Sequence, residues 1–189
     1  MLKCLRTLLY LGLAISPLLA QAGTEVAGVK VDESCNMDAQ PVELNGAGVR
    51  SKYFIKIYVG VLCIEQPGQD SAAILAASGA KRMQMNMLYK QVEAGKITEG
   101  WKDGFRANLN EAEYSRLTPR LDQFNALFPT LRAGDIINMD YLPARGTELT
   151  INGKSLGIIE GDDFFRALLQ VWIGKHPADK SLKKGLLGK

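Results

Sequence analysis

A single histidine and three cysteines are all that this 189-residue chain offers for imidazole or thiolate chemistry. With His176 alone, a histidine-based relay has no partner pattern, and no Cys/His spacing of the kind that holds zinc is present. No glycine loop is framed by a strand and then a helix, the order that cradles phosphate. No metal and no cofactor are therefore expected. Charge of one sign is not in large excess either, with 23 Lys and Arg against 20 Asp and Glu. No basic stripe interleaved with aromatics marks nucleic acid as a partner, and the KSLKKGLLGK tail reads as a short solvated end. Repeats, low-complexity tracts and linkers are also missing.

Only one long apolar run exists, and it stands at the start. Lys3 and Arg6 precede the apolar stretch Leu8 to Leu19, and Ala20-Gln21-Ala22 is a small-x-small cleavage site. This is the pattern of a secretory signal peptide over residues 1–22. It predicts a mature chain from Gly23, exported, most simply to a bacterial periplasm, with no integral membrane segment after cleavage. Removing Lys3 and Arg6 leaves 21 basic residues against 20 acidic, a formal charge of +1 on 167 residues. That length suits one sizeable core, so residues 23–189 are expected to form one domain. Cys35 and Cys63 survive cleavage. An oxidising space allows them to pair, and two buried free thiols are the alternative.

The most β-prone run, Tyr53 to Ile64, follows a glycine pair, Gly46 and Gly48, and an arginine, Arg50. The glycines are expected to form a turn or to admit a close neighbour, with Arg50 at the mouth of a long strand. Both parities of the run are largely apolar: Tyr53, Ile55, Ile57, Val59, Val61 and Cys63 on one, Phe54, Tyr58, Leu62 and Ile64 on the other. Both faces should then be covered. A cation at the edge of such a sheet suggests an anion anchor at the end of an apolar cleft; a structural pair with a surface carboxylate is the alternative. Lys81 to Tyr89 alternates, placing Met83, Met85 and Met87 on one side. They form either an adaptable ligand wall or ordinary core.

Short strands are expected over Val26–Val31 and Val42–Leu44, making a meander with the long strand, and a short helix over Ser71–Ser78. Ile97, Trp101, Phe105 and Leu109 mark an amphipathic helix. Asn110 with Glu113 suggests a brief capped turn, and Thr118-Pro119 a fresh helix start ahead of Leu121, Phe124 and Phe128. Asp135–Leu142 and Glu148–Ile159 return to strand, the latter folding at Asn152-Gly153. Asp162 and Asp163 open a last long helix closed by Gly174, and His176 beyond it reads as a capping or surface residue. Strands, helices, strands, helix, with hairpin connections, argue for an α+β fold with a largely antiparallel sheet.

NGAGVR, followed after a short interval by FIKIYVGVLCIE, resembles the chalcone isomerase family, as does ALLQVWIGKHPADKSLKKGLL from Ala167 to Leu187. The resemblance spans about Val26 to Leu187, although Asn45 departs from the first glycine of the family's turn. It implies an open-faced β-sandwich with helices on one face and a ligand cleft between. In the family's reaction a phenolate closes a chalcone to a flavanone, and an arginine holds the ligand's negative oxygen; that role maps to Arg50. Other family positions do not carry over: Ile97, Gly100 and Gly104 stand where tyrosine, lysine and asparagine belong, and Val171 where serine or threonine does. Tyr58 replaces a threonine and offers a hydroxyl in compensation. The expectation is an exported protein that binds a small apolar, fatty-acid-like carboxylate through Arg50, Tyr58, Met85 and Met87. An isomerase or intramolecular lyase using Arg50 and Tyr58 in an altered site is one alternative, and a non-catalytic interaction protein another.

Overall fold

The computed structural model describes residues 23–37 and 40–189, so the expected signal peptide and the Asp38-Ala39 step lie outside it. A two-residue turn at Ala27-Gly28 joins β1 (Thr24–Val26) to β2 (Val29–Val31) as a separate hairpin, rather than as part of a meander with the long strand. Then come β3 (Ser34–Met37), β4 (Gln40–Lys52), β5 (Ile55–Ile64), α1 (Ser71–Ala76) and β6 (Lys81–Met87). β7 (Gln91–Val92) leads into α2 (Ala94–Asn108) and α3 (Glu111–Ala126), and β8 (Leu131–Arg132) pairs back with β7. β9 (Ile136–Leu142), β10 (Gly146–Ile151), β11 (Lys154–Ile159), α4 (Asp162–Ile173) and α5 (Lys180–Leu186) complete the chain.

Seven strands form one sheet in the order β11-β10-β9-β6-β5-β4-β3, each pair antiparallel. One parity of each central strand faces the helices. Tyr58 and Leu62, Met83, Met85 and Met87, and Ile137 and Met139 join the helical residues Trp101, Phe105, Phe124, Phe164 and Trp172 in the main core. The opposite parity, Val59, Val61 and Cys63, is covered by a second apolar cluster with Val31, Met37 and Val42. The expected α+β class, antiparallel sheet and helices on one face are all present. Cys35 and Cys63 are joined by a disulfide, their Cα atoms 6.2 Å apart.

Four local expectations are corrected. Gly46 and Gly48 form no turn: both lie inside the 13-residue β4. They admit α5, since a Cβ on Gly46 would strike the backbone carbonyl of Gly185, and one on Gly48 would stand 3.3 Å from Leu182. The turn falls at Tyr53-Phe54, so the long strand begins at Ile55 rather than Tyr53. Pro119 starts no helix. It sits within the 16-residue α3, where Asn110 and Glu113 make a full capping box. Ser115 and Pro119 both face solvent, so the carbonyl that loses its N–H donor meets water. Finally, the C-terminal tail is no solvated end: Leu182 and Leu186 of α5 are fully buried against the sheet.

Charged groups fasten the helices. Arg120 donates from both terminal nitrogens to the Asp163 carboxylate, at 2.7 and 2.9 Å, and Arg116 pairs with the same group. These hydrogen bonds, Arg120's first, hold the Asp163 carboxyl well below the usual carboxylate range, although partial burial pulls the other way. The arrangement ties α3 to the N-terminus of α4, whose positive dipole end favours an anion.

Candidate functional site

Arg50 and Tyr58 are register partners across β4 and β5. The guanidinium carbon lies 5.7 Å from the centroid of the Tyr58 ring, a cation-π distance. Arg50 is half-buried and forms no ion pair with a carboxylate among the described residues. The surface-carboxylate alternative is therefore not what the fold builds. Asp179 is nearby but already committed: its carboxylate accepts from the backbone N–H groups of Ser51, Ser181 and Leu182, capping α5.

Tyr58 points into the main core with 2% of its surface exposed. Its hydroxyl accepts a hydrogen bond of 2.8 Å from Nε1 of Trp172 on α4. Burial raises its pKa, the largest influence, while the Arg50 charge, the Trp172 bond and a hydrogen-bonding interaction with Arg50 act in the opposite direction. The phenol is thus a held, protonated group that leaves its own O–H free to donate. Trp172 packs 5.3 Å from Trp101 of α2, whose buried Nε1 has no hydrogen-bond partner among the described residues.

Along β6, Met87 is the register partner of Tyr58, Met85 of Gly60 and Met83 of Leu62. The structure therefore gathers Arg50, Tyr58 and Met87 directly, and brings Met85 to the same face one pair farther on. Gly60 makes room for this packing: an added Cβ would lie 3.0 Å from Met83 Cε and 3.1 Å from Leu182 Cδ1. All three methionines are core residues, under 5% exposed. Hollows lie elsewhere: one of about 500 Å³ beside α1, lined by Glu65, Pro67 and Gly79, and one of about 350 Å³ over the Arg82–Asp140 ion pair on the other face.

Of the positions that would carry chalcone chemistry, Gly104 and Val171 are closed by packing, whereas Gly100 has open space beside it. A Cβ on Gly104 would meet the Val171 side chain at 2.7 Å, so α2 and α4 touch where asparagine and a hydroxyl residue are expected in the family. Ile97 is buried in the same interior, and His176 is exposed, its backbone N–H and C=O bonded to the Asn108 side chain. Among the described residues no group of His, Cys, Asp and Glu could hold a metal ion, and no helix is long and apolar enough to cross a membrane.

The decisive comparison is with family patterns, because the chalcone isomerase-like pattern matches residues 23–188. The chain belongs to the chalcone isomerase-like family. Solved structures that share the fold include the fatty-acid binding protein AtFAP1 of Arabidopsis thaliana, with a TM-score of 0.66 and 16% identity over 85% of this chain and 92% of that one. No curated protein sequence matches the chain. Within this chalcone isomerase-like fold, sequence reasoning placed Arg50 and Tyr58 but missed Trp172, Trp101 and the α5 cap. The two tryptophans were the available signal, since a buried indole N–H requires an acceptor.

A second buried cation was also missed. Lys81, 4% exposed, lies over the Tyr141 ring at 5.2 Å and donates to the carbonyls of Ala77 and Gly79. Burial lowers its pKa, while the charges of Glu65 and Asp162 oppose that shift. Its donors are spent on closing the C-terminus of α1, a structural role.

Proposed function

We propose that this chain is an exported binding protein for a small apolar carboxylate of the fatty-acid kind, with Arg50 as the anchor of the acid group. The observation that carries the reading is a half-buried guanidinium with no carboxylate ion pair among the described residues, set over Tyr58 at the rim of a methionine-rich interior. A cation so placed is costly to desolvate without an acceptor, and a carboxylate supplies two parallel hydrogen bonds. The Tyr58 hydroxyl, accepting from Trp172, has its own proton to donate to the same oxygen. Behind them, Met85 and Met87 are flexible enough to yield to an acyl tail, and each buried CH₂ adds about 0.8 kcal/mol. The unpaired Trp101 N–H adds one more donor to that interior. The fold shared with a fatty-acid binding protein agrees with this reading.

An isomerase reading draws less support, because Gly104 and Val171, packed against each other, carry no polar side chain that could move a proton. Export rests on the Lys3/Arg6, Leu8–Leu19 and Ala20-x-Ala22 pattern, and the Cys35–Cys63 bridge is compatible with an oxidising destination. Organic extraction of the purified mature protein, followed by mass spectrometry, tests the ligand class. Acyl carboxylic acids recovered in amounts comparable to the protein are expected. An extract without them, together with no binding of added long-chain acid, would overturn the proposal.

A further inference from the structure

Beyond Arg50, the β4–β5 ribbon runs past the end of β6, and Ser51 through Lys56 are all exposed. Its tip carries Tyr53 at 84% exposure, Phe54 at 103% and Ile55 at 48%. Tyr89, 40% exposed, stands beside the ribbon's base, where its N–H donates to the carbonyl of Ile57. The tip is also strained: Tyr53 and Phe54 adopt φ of 49° and 68°, a left-handed pair that bulky residues resist. Another tight hairpin of this sheet uses Asn152 and Gly153 for the same pair of positive φ values, the residues suited to them. Aromatic side chains are thus held in an unfavourable backbone conformation while packing against almost nothing. That combination marks a segment kept for contact with something outside the fold.

We propose that this hairpin tip docks the protein on an anionic phospholipid surface, with Tyr53, Phe54 and Ile55 entering the interface while Lys52 and Lys56 meet headgroup phosphates. Charge favours that occupant. No acidic residue lies between Ser51 and Lys56; Glu99 of α2, which feels the Lys52 charge, is paired with Lys96, and neither ribbon lysine forms an ion pair with a carboxylate among the described residues. Lys52 lies over the Tyr53 ring at 5.9 Å, presenting cation and aromatic together. Aromatic rings settle at headgroup depth, and nearby lysines add attraction to anionic lipid. The exposed surface of three side chains at the end of a two-stranded ribbon is less than the roughly 800 Å² per partner that a stable protein interface buries. This proposal does not rest on the carboxylate reading, since it involves neither Arg50 nor a bound acid.

The test is sedimentation of the mature chain with vesicles of phosphatidylethanolamine and phosphatidylglycerol, or of phosphatidylcholine alone. Binding to the anionic vesicles is expected, at least tenfold weaker on the neutral ones. The double variant Tyr53→Asn/Phe54→Gly should lose at least tenfold in partitioning, the scale of removing one large buried apolar side chain, while its urea midpoint stays or rises because the turn relaxes. Lys52→Glu/Lys56→Glu should lose the preference for anionic lipid. No binding of the parent chain to anionic vesicles, equal binding by the Asn-Gly variant, or a lower urea midpoint for it would each overturn the proposal. So would self-association of the parent chain that the Asn-Gly variant abolishes without any vesicle binding, which would assign the tip to a second copy. A titration of long-chain acid on the same Asn-Gly variant, whose Arg50 is intact, reports on the carboxylate reading separately.

Discussion

Reducing the Cys35–Cys63 bridge perturbs the fold without changing its sequence, and the effect can be estimated from the chain itself. The bridge closes a loop with a sequence separation of 28. In the chain-entropy description, opening such a loop frees the unfolded ensemble by about 12 cal/mol/K, or about 3.6 kcal/mol at 25 °C. For a chain of this size that corresponds to a fall in melting temperature on the order of 10 °C. Cys63 is fully buried and Cys35 partly so, and reduction is made complete by applying the reductant to the unfolded chain before refolding. Urea unfolding with and without reductant, followed by tryptophan fluorescence, is a suitable assay because Trp101 and Trp172 both lie in the main core. The reduced chain should unfold at lower urea with a somewhat larger m value, as its unfolded state expands. Curves that coincide to within about 0.5 kcal/mol would refute the reasoning, a margin set by ordinary non-additivity between measurements.

Three further outcomes follow from named contacts. Gly46→Ala should destabilise by about 1 to 3 kcal/mol, the usual cost of overpacking, because the new methyl meets the Gly185 carbonyl and must displace α5; an unchanged urea midpoint would contradict that close approach. Asp163 has a depressed folded pKa, so its contribution is present above the unfolded carboxylate value of about 3.9 and is lost as pH falls through the folded one. Asp163→Asn should accordingly cost on the order of 1 kcal/mol at pH 7, discounted for partial exposure, and narrow towards nothing in strong acid; an equal cost at every pH would exclude the linkage. Chalcone should cyclise no faster with the protein than without it. Ile97, Gly104 and Val171 supply no proton donor or oriented polar group, a loss worth on the order of 100-fold for each positioned group, and turnover well above the spontaneous rate would refute this.

The pattern of the strands was legible because burial on a sheet repeats every second residue. Tyr58 and Leu62 fell on one face and Val59, Val61 and Cys63 on the other, as their alternation implied. Asn152-Gly153 disclosed its hairpin because its residues suit its backbone, whereas Tyr53-Phe54 concealed one because its residues do not. The Gly46/Gly48 pair was misread for a related reason. Glycine marks either a positive φ or a close approach, and only the position of α5, over a hundred residues away in sequence, decides between them. Pro119 misled because local rules weigh its missing N–H without knowing that its turn of α3 faces water. Within the site, Arg50 and Tyr58 were readable from adjacent segments. The Trp172 bond spans 114 positions and was not.

The most direct test of the account is the binding of one long-chain fatty acid, and of the alcohol of equal length, to the parent protein and to Arg50→Ala. Calorimetric titration supplies the four affinities. If Arg50 anchors the acid group, the variant should bind the acid more weakly by about 1.5 to 3 kcal/mol, a loss of roughly 10- to 150-fold, while the alcohol changes by less than about twofold. Equal losses for acid and alcohol, or no loss for either, would contradict that role and leave Arg50 a residue of the fold alone.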